Sequence, residues 1–414
     1  MKGNEFLLTI ASALAIFGAV LMFAGSGMAA GPTETVLYRF EGGRDGSAPL
    51  ASLIADKAGS LYGTTEVGGA GECQGGCGTV YELSPASGGR WTETVLYRFT
   101  GGGDGAGPQA GLIFDAAGNL YGTTIYGGSS DNGTIFELAA PATRGGTWTL
   151  NVLHSFVGDT DGDYCLGSLV FDQAGNLYGP TLFGGQFGGG TVFQLAAPAT
   201  QGGSRILHVL HSFKGTTDGI DPDGTLIIDK QGALYGTTNS GTVFKEVPPL
   251  PGHHGWTLKV LYQFNYVLGL SGGVIAGKDG ALYGATAQGG SANEGTVFKL
   301  TPPATRGGAW TATTLYEFIG GSDGEYPLNS LIADEAGNLY GTTQSGGSSG
   351  HGTVFKLTSM HGGAWSKTTL HNFAGGRDGS APGAGLTFGG QGVLYGTTVH
   401  GGSKNKGTVF KVSP

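Results

Sequence analysis

Charge is scarce in this chain. Asp, Glu, Lys and Arg make up 12% of its 414 residues, and the formal charge is −9. There is no basic stripe, which removes the electrostatic footprint that nucleic-acid binders need. No long run of like charge marks an interaction tail. Cysteine is rarer still, at three residues. Cys73 and Cys77 share the loop "ECQGGC" in C-x-x-x-C spacing, and no second pair or nearby histidine completes a zinc set. Export makes a small disulfide between them the expectation, and Cys165 is left as a partly buried thiol. Catalytic signatures are also missing. The chain has no His-x-x-x-His pair, no nucleophile elbow and no phosphate-cradling Gly-x-x-x-x-Gly-Lys-Ser/Thr.

Long apolar runs are missing except for one. Phe6 to Ala24 is apolar, follows Lys2, and precedes the small residues Gly27 and Ala29. That order reads as an export signal over residues 1–30, cleaved after Ala29. A retained anchor is the alternative, because 19 residues just suffice to span a bilayer. Either way residues 31–414 are expected to be exported, to the periplasm, the cell surface or the medium, with no further membrane span.

What is present is glycine, 85 residues of it, together with 16 Tyr and 21 Phe. Glycine without periodicity reads as disorder. Here the glycines keep fixed offsets from Tyr, Phe, Leu and Val, so short strands separated by turns are expected instead. Tyr62, Tyr121, Tyr178, Tyr235, Tyr283, Tyr340 and Tyr395 each sit in Leu-Tyr-Gly, separated by 59, 57, 57, 48, 57 and 55 residues. Each of the seven copies carries four strand-like pieces. In the second they are "AGLIFD", "NLYGTT", "GTIFEL" and "WTLNVLHSF". Four strands per unit repeated seven times predicts an all-β, seven-bladed β-propeller, occupying residues 31–414 as one domain. Asp-x-x-Gly between the first two pieces predicts a tight turn, with glycine at positive φ and Asp56, Asp115, Asp172, Asp229 and Asp334 bonding the turn backbone. Residues 33–40, "TETVLYRF", match a fourth strand with no unit before them, while 407–412 are a third strand with no fourth. The spacing predicts that 33–40 complete the last blade and close the ring.

The segments "GNLYGTT", "GTVFKL", "LYRF" and "GGRDGSAP" resemble the GloVer (Gloeo/Verruco) tandem repeat of exported bacterial proteins. The resemblance covers nearly all of the chain after residue 30. It implies a propeller-like fold and no catalytic residue.

Candidate sites lie on the face carrying the second-to-third loops and the connections between blades, since function collects on loops held by a scaffold. Asp-Gly recurs there at Asp45, Asp104, Asp161, Asp218, Asp323 and Asp378, either as turns or as a ring of negative potential. Asp159, Asp161 and Asp163, and likewise Asp218, Asp221 and Asp223, alternate like the start of a calcium loop. Val170 stands where a full loop needs glutamate. A notch is expected where the fourth copy's loop shrinks to Asn239 and Ser240, flanked by Tyr266. Trp91, Trp148, Trp256, Trp310 and Trp365 each lie six residues before the Tyr or His of the outer strand. Such register points to packing rather than to sugar stacking.

The copies differ mostly in loop length, whereas catalysis needs unlike groups gathered at one place. The function expected is therefore a monomeric, non-catalytic scaffold that binds a ligand, a protein or a polysaccharide, with calcium as a candidate cofactor. The alternatives are a polysaccharide hydrolase or lyase, whose paired acids leave no sequence spacing to read, and a purely structural envelope protein.

Overall fold

Asp115 shows how the sequence makes its first turn. Its Oδ1 accepts hydrogen bonds from the amides of Ala117 and Asn119 at 2.8 and 2.9 Å. Gly118 takes a φ of 89°, a conformation that costs a side-chain-bearing residue strain. Asn119 and Tyr121 then reach back to Asp115 Oδ2. The same clamp recurs around Asp172 and Asp334.

The computed structural model describes residues 31–413 except Ala70, Arg144, Gln201, Thr216, Pro251, 266–268, Ser271 and Arg306. The expected export segment 1–30 and Tyr266 lie outside the described residues. Pro32–Pro414 forms one compact unit. It contains seven four-stranded antiparallel sheets, arranged radially as the blades of a propeller. In the second blade the strands are Ile113–Phe114, Leu120–Thr124, Thr134–Ala139 and Thr149–Ser155, from axis to rim. Among the described residues no helix is long and apolar enough to cross a membrane.

The repeat motifs are packing instructions. Phe136 of the third strand lies over Gly122 of the second, where an added Cβ would stand 2.6 Å from the ring. Thr124 and Thr134, from "GTT" and "GTIF", join across the strands through hydroxyls 2.9 Å apart. The outer strand of each blade pairs with the third through a bulge in the "LY" or "LH" segment, as between Val36 and Tyr38 and between Val209 and His211.

The core is divided into seven clusters, one at each blade boundary. At each boundary the outer-strand Phe meets the third-strand ring of the next blade, with centroids 4.7 to 5.5 Å apart. The last sheet is completed by Thr33–Arg39, which pairs antiparallel with Thr408–Ser413 from Thr33↔Ser413 to Arg39↔Thr408. The ring closes as the sequence predicts, through the strand it predicts.

Candidate functional site

The six Asp-Gly aspartates are tied to the outer strands that precede them. Each carboxylate takes the Tyr or His seven residues earlier on the outer strand together with nearby loop amides. Tyr97 Oη donates to Asp104 at 3.0 Å, and Thr100 N at 2.9 Å. His154 Nε2 lies 2.7 Å from Asp161, which also accepts from the Val157 and Gly158 amides. His211 stands 3.0 Å from Asp218. Burial raises the Asp218 carboxyl, but the bonds from His211 and the Lys214 amide outweigh it and hold the group below its usual range.

The aspartates of the two triads read as calcium loops have different surroundings. Asp159 is exposed, Asp161 is taken up by His154, and the Asp163 backbone bridges to Phe183. Asp218 faces His211, Asp221 accepts the Asn239 amide through its carbonyl, and Asp223 lines a cavity on the propeller axis. Among the described residues, three His, Cys, Asp or Glu ligand atoms come within 4.8 Å of one another at Glu34, His371 and Asp378.

Asn239 and Ser240 hold neighbouring loops. Ser240 Oγ accepts the Ile220 amide at 3.0 Å, and the Asn239 carbonyl accepts the Gly269 amide at 3.1 Å. The tryptophans pack between blades: Trp91 on Tyr395, Trp256 on Tyr178 and Trp365 on Tyr283.

The loop face carries a pocket of about 560 Å³ between the first two blades. One wall is the loop that a Cys73–Cys77 disulfide staples. Glu66, Glu72 and Gln74 come from this loop, and Tyr126 and Asp131 from the corresponding loop of the second blade. Asp131 Oδ1 accepts the Gly127 amide at 2.8 Å, and Glu66 accepts Gln109 Nε2 at 2.8 Å. These bonds fix two carboxylates in place. Tyr126, 41% exposed, starts a line of rings. Its ring meets Tyr164 at 5.1 Å, and Tyr164 meets Phe183 at 5.7 Å. Burial lifts the Asp163 carboxyl above its usual range, against a bond from the Tyr164 amide, and the like charge of Asp131 adds to the rise. The pocket escapes sequence reading because its walls come from two copies with unrelated loops.

The axial cavity is small. Residues from all seven blades line a space of about 100 Å³, room for about three waters. Close contact of the inner strands narrows it, as where the Gly111 amide donates to Ser168 Oγ at 3.0 Å.

Four charged side chains inside blade boundaries were not anticipated. Lys367 reaches Asp323 at 2.9 Å. Glu34 and Glu93 are both pushed up to about 7, chiefly by burial and then by Asp378 and Asp45 respectively. Glu246 is fully buried and occupies the place of Leu83, Leu138, Leu195, Leu300, Leu357 and Val412 in the other third strands. The missed signal was a charge breaking an otherwise apolar column of the repeat.

Comparison with known proteins agrees with this architecture. No curated protein matches the chain in sequence. Among solved structures, the extracellular domain of a protein described as a hybrid two component system, BT3049, from B. thetaiotaomicron aligns with 15% identity and a TM-score of 0.54. The alignment covers 92% of this chain and 41% of that one, so the chain spans about two fifths of that structure, and the likeness is one of fold alone. The PQQ domain of pyranose dehydrogenase from Coprinopsis cinerea aligns with 13% identity, covering 93% and 96% of the two chains, at a TM-score of 0.46. A protein of unknown function from Dyadobacter fermentans aligns with 12% identity, covering 82% and 98%, at 0.44. The Gloeobacter/Verrucomicrobia repeat matches residues 26–248 and 239–414. With that match running through both halves of a ring of seven like sheets, the chain belongs to the Gloeobacter/Verrucomicrobia repeat family.

Proposed function

We propose that this is an exported, non-catalytic scaffold, directed outward by residues 1–30, which binds a polysaccharide on its loop face. The observation that carries the reading is the pocket between the first two blades, with its fixed carboxylates and the exposed rings leading away from it. Sugar hydroxyls donate to carboxylates and the glutamine, while aromatic faces cover the C–H side of the ring. The small axial cavity supports binding at the rim rather than chemistry in the channel.

Titration calorimetry of the exported chain against a panel of acidic and neutral polysaccharides tests this. A saturable partner is expected, with Tyr126→Ala weakening it about tenfold, close to 1.4 kcal/mol. No binding to any member removes the reading and favours a structural role in the envelope. One observation favours a second reading: Asp163, held above the usual carboxylate range beside Asp131, has the makings of a general acid. Release of new reducing or unsaturated sugar ends, abolished by Asp163→Asn, would establish that the protein is an enzyme.

A further inference from the structure

The outer-strand Tyr or His of each blade, six of the seven paired with an Asp-Gly aspartate, is faced by one side chain from the next blade's outer strand. At successive boundaries that side chain is Glu93, Leu150, Leu207, Leu258, Ala312, Lys367 and, on the closing strand, Glu34. The leucines and the alanine are packing. Lys367 forms an ion pair with Asp323. Glu93 faces Tyr38 and Asp45, a phenol and a carboxylate. Among these outer-strand side chains, Glu34 is the carboxylate that faces a His–Asp pair, His371 and Asp378, 3.2 Å apart. One imidazole nitrogen and two carboxylate oxygens lie there within 4.8 Å of one another. Glu34 Oε1 is buried with no hydrogen-bond partner. Two acids are pressed together around an imidazole, half out of water; Arg39 acts on both from a distance, but its Nε is engaged by the Arg377 carbonyl at 2.9 Å.

We propose that Glu34, His371 and Asp378 bind a divalent transition-metal ion of the Zn²⁺ class, which fastens the closing strand Thr33–Arg39 to the sixth blade. The donor set decides the class. Imidazole nitrogen with carboxylate oxygens suits Zn²⁺ and its neighbours, whereas Ca²⁺ takes six to eight oxygens. Ligand atoms about 2.0–2.2 Å from a tetrahedral ion stand about 3.3–3.6 Å apart, so side-chain rotation within this cluster brings all three onto one ion. Water fills the fourth position. The arrangement at Glu246, His211 and Asp218 is different. Its two acids sit against opposite ring nitrogens, 3.6 Å from Nδ1 and 3.0 Å from Nε2, and cannot share an ion through one imidazole. The inference stands apart from ligand binding on the loop face.

The test is calorimetry and thermal melting of the full exported chain, stripped with EDTA and titrated with ZnCl₂, with Co²⁺ absorption as a second readout. One ion per chain is expected, with a melting temperature raised by several degrees and a visible Co²⁺ d–d band. Two substitutions should each weaken binding about 100-fold or more and remove the band. His371→Tyr installs the residue that Tyr97 and Tyr316 supply in equivalent strands, so the Asp378 clamp and the fold are kept. Glu34→Gln removes the third ligand. Glu93→Gln leaves binding unchanged. The proposal is overturned by absence of stoichiometric Zn²⁺ binding in the unsubstituted chain. It is equally overturned by binding that survives both His371→Tyr and Glu34→Gln, which would place the ion on other histidines.

Discussion

Phe40 lies edge-on to Tyr81, their centroids 5.2 Å apart and their planes at 67°. This is the same contact that joins every other pair of blades, but here it links the closing strand to the first blade. Both rings are fully buried. The boundary made from two distant parts of the chain is packed like those made from consecutive ones.

Phe40→Ala should therefore cost as much as an interior equivalent. Truncating a buried phenylalanine removes about 3–5 kcal/mol, and Phe99→Ala, one boundary on, provides the comparison. Denaturant melts of the two variants should agree within about 2 kcal/mol, the scatter expected at fixed chemistry. A Phe40→Ala cost near zero would mean that the ring is open in solution.

Asp161→Ala should destabilise the protein and do so without regard to calcium. Its carboxylate serves His154 and the amides of Val157 and Gly158, and leaving such buried donors unpaired costs about 1–3 kcal/mol. Melting temperatures with calcium and with chelator should drop equally. A calcium-dependent rise that Asp161→Ala abolishes would support the metal-loop reading instead.

The contrast between the two aspartate series shows what was legible. Asp115 bonds amides two and four residues away, so the turn explains itself within its own segment. Asp104 and Asp161 are held by the outer strand through Tyr97 and His154. That bond appears in the sequence as a constant seven-residue spacing from Tyr or His to Asp, which is easily passed over because strand and loop are read separately. The tryptophans were legible because their register matched the strand. The closing strand was legible because the two ends had complementary gaps. The pocket and the Glu34 cluster were not, since each joins residues whose proximity exists only once the blades are packed.

Opening the Cys73–Cys77 bond should disturb binding more than folding. The bond closes a very short loop, for which the chain-entropy estimate is about 2 kcal/mol. That loop lies on the face and touches the core at one point, where Cys77 and Cys73 pack on the cluster of Phe99 and Phe136, so most of its opening is local. The Cys73→Ser/Cys77→Ser variant should melt within a few degrees of the unsubstituted chain. It should show faster amide exchange over residues 66–78 and weaker polysaccharide binding. A collapse in melting temperature would mean that the loop belongs to the cooperative core.

Glu246→Leu should stabilise the protein and flatten its pH dependence. Glu246 pairs with Leu234 and Leu258 across its sheet, both carboxylate oxygens are buried without a hydrogen bond, and His211 Nδ1 at 3.6 Å is too distant to supply one. Burial pushes the group up to about 8, against about 4.3 in an unfolded chain. Between those values the folded protein holds a proton that the unfolded chain releases, so stability is full below about pH 4.3 and falls as pH rises toward about 8. Glu34 and Glu93, raised to about 7, act in the same direction over a narrower window. Leucine, the residue of five other blades, should recover about 1–3 kcal/mol at pH 7 and leave the smaller slope of the other two acids. Urea melts at pH 5 and pH 8 check both points. An unchanged slope in Glu246→Leu would show that His211 or solvent satisfies this carboxylate in the folded protein.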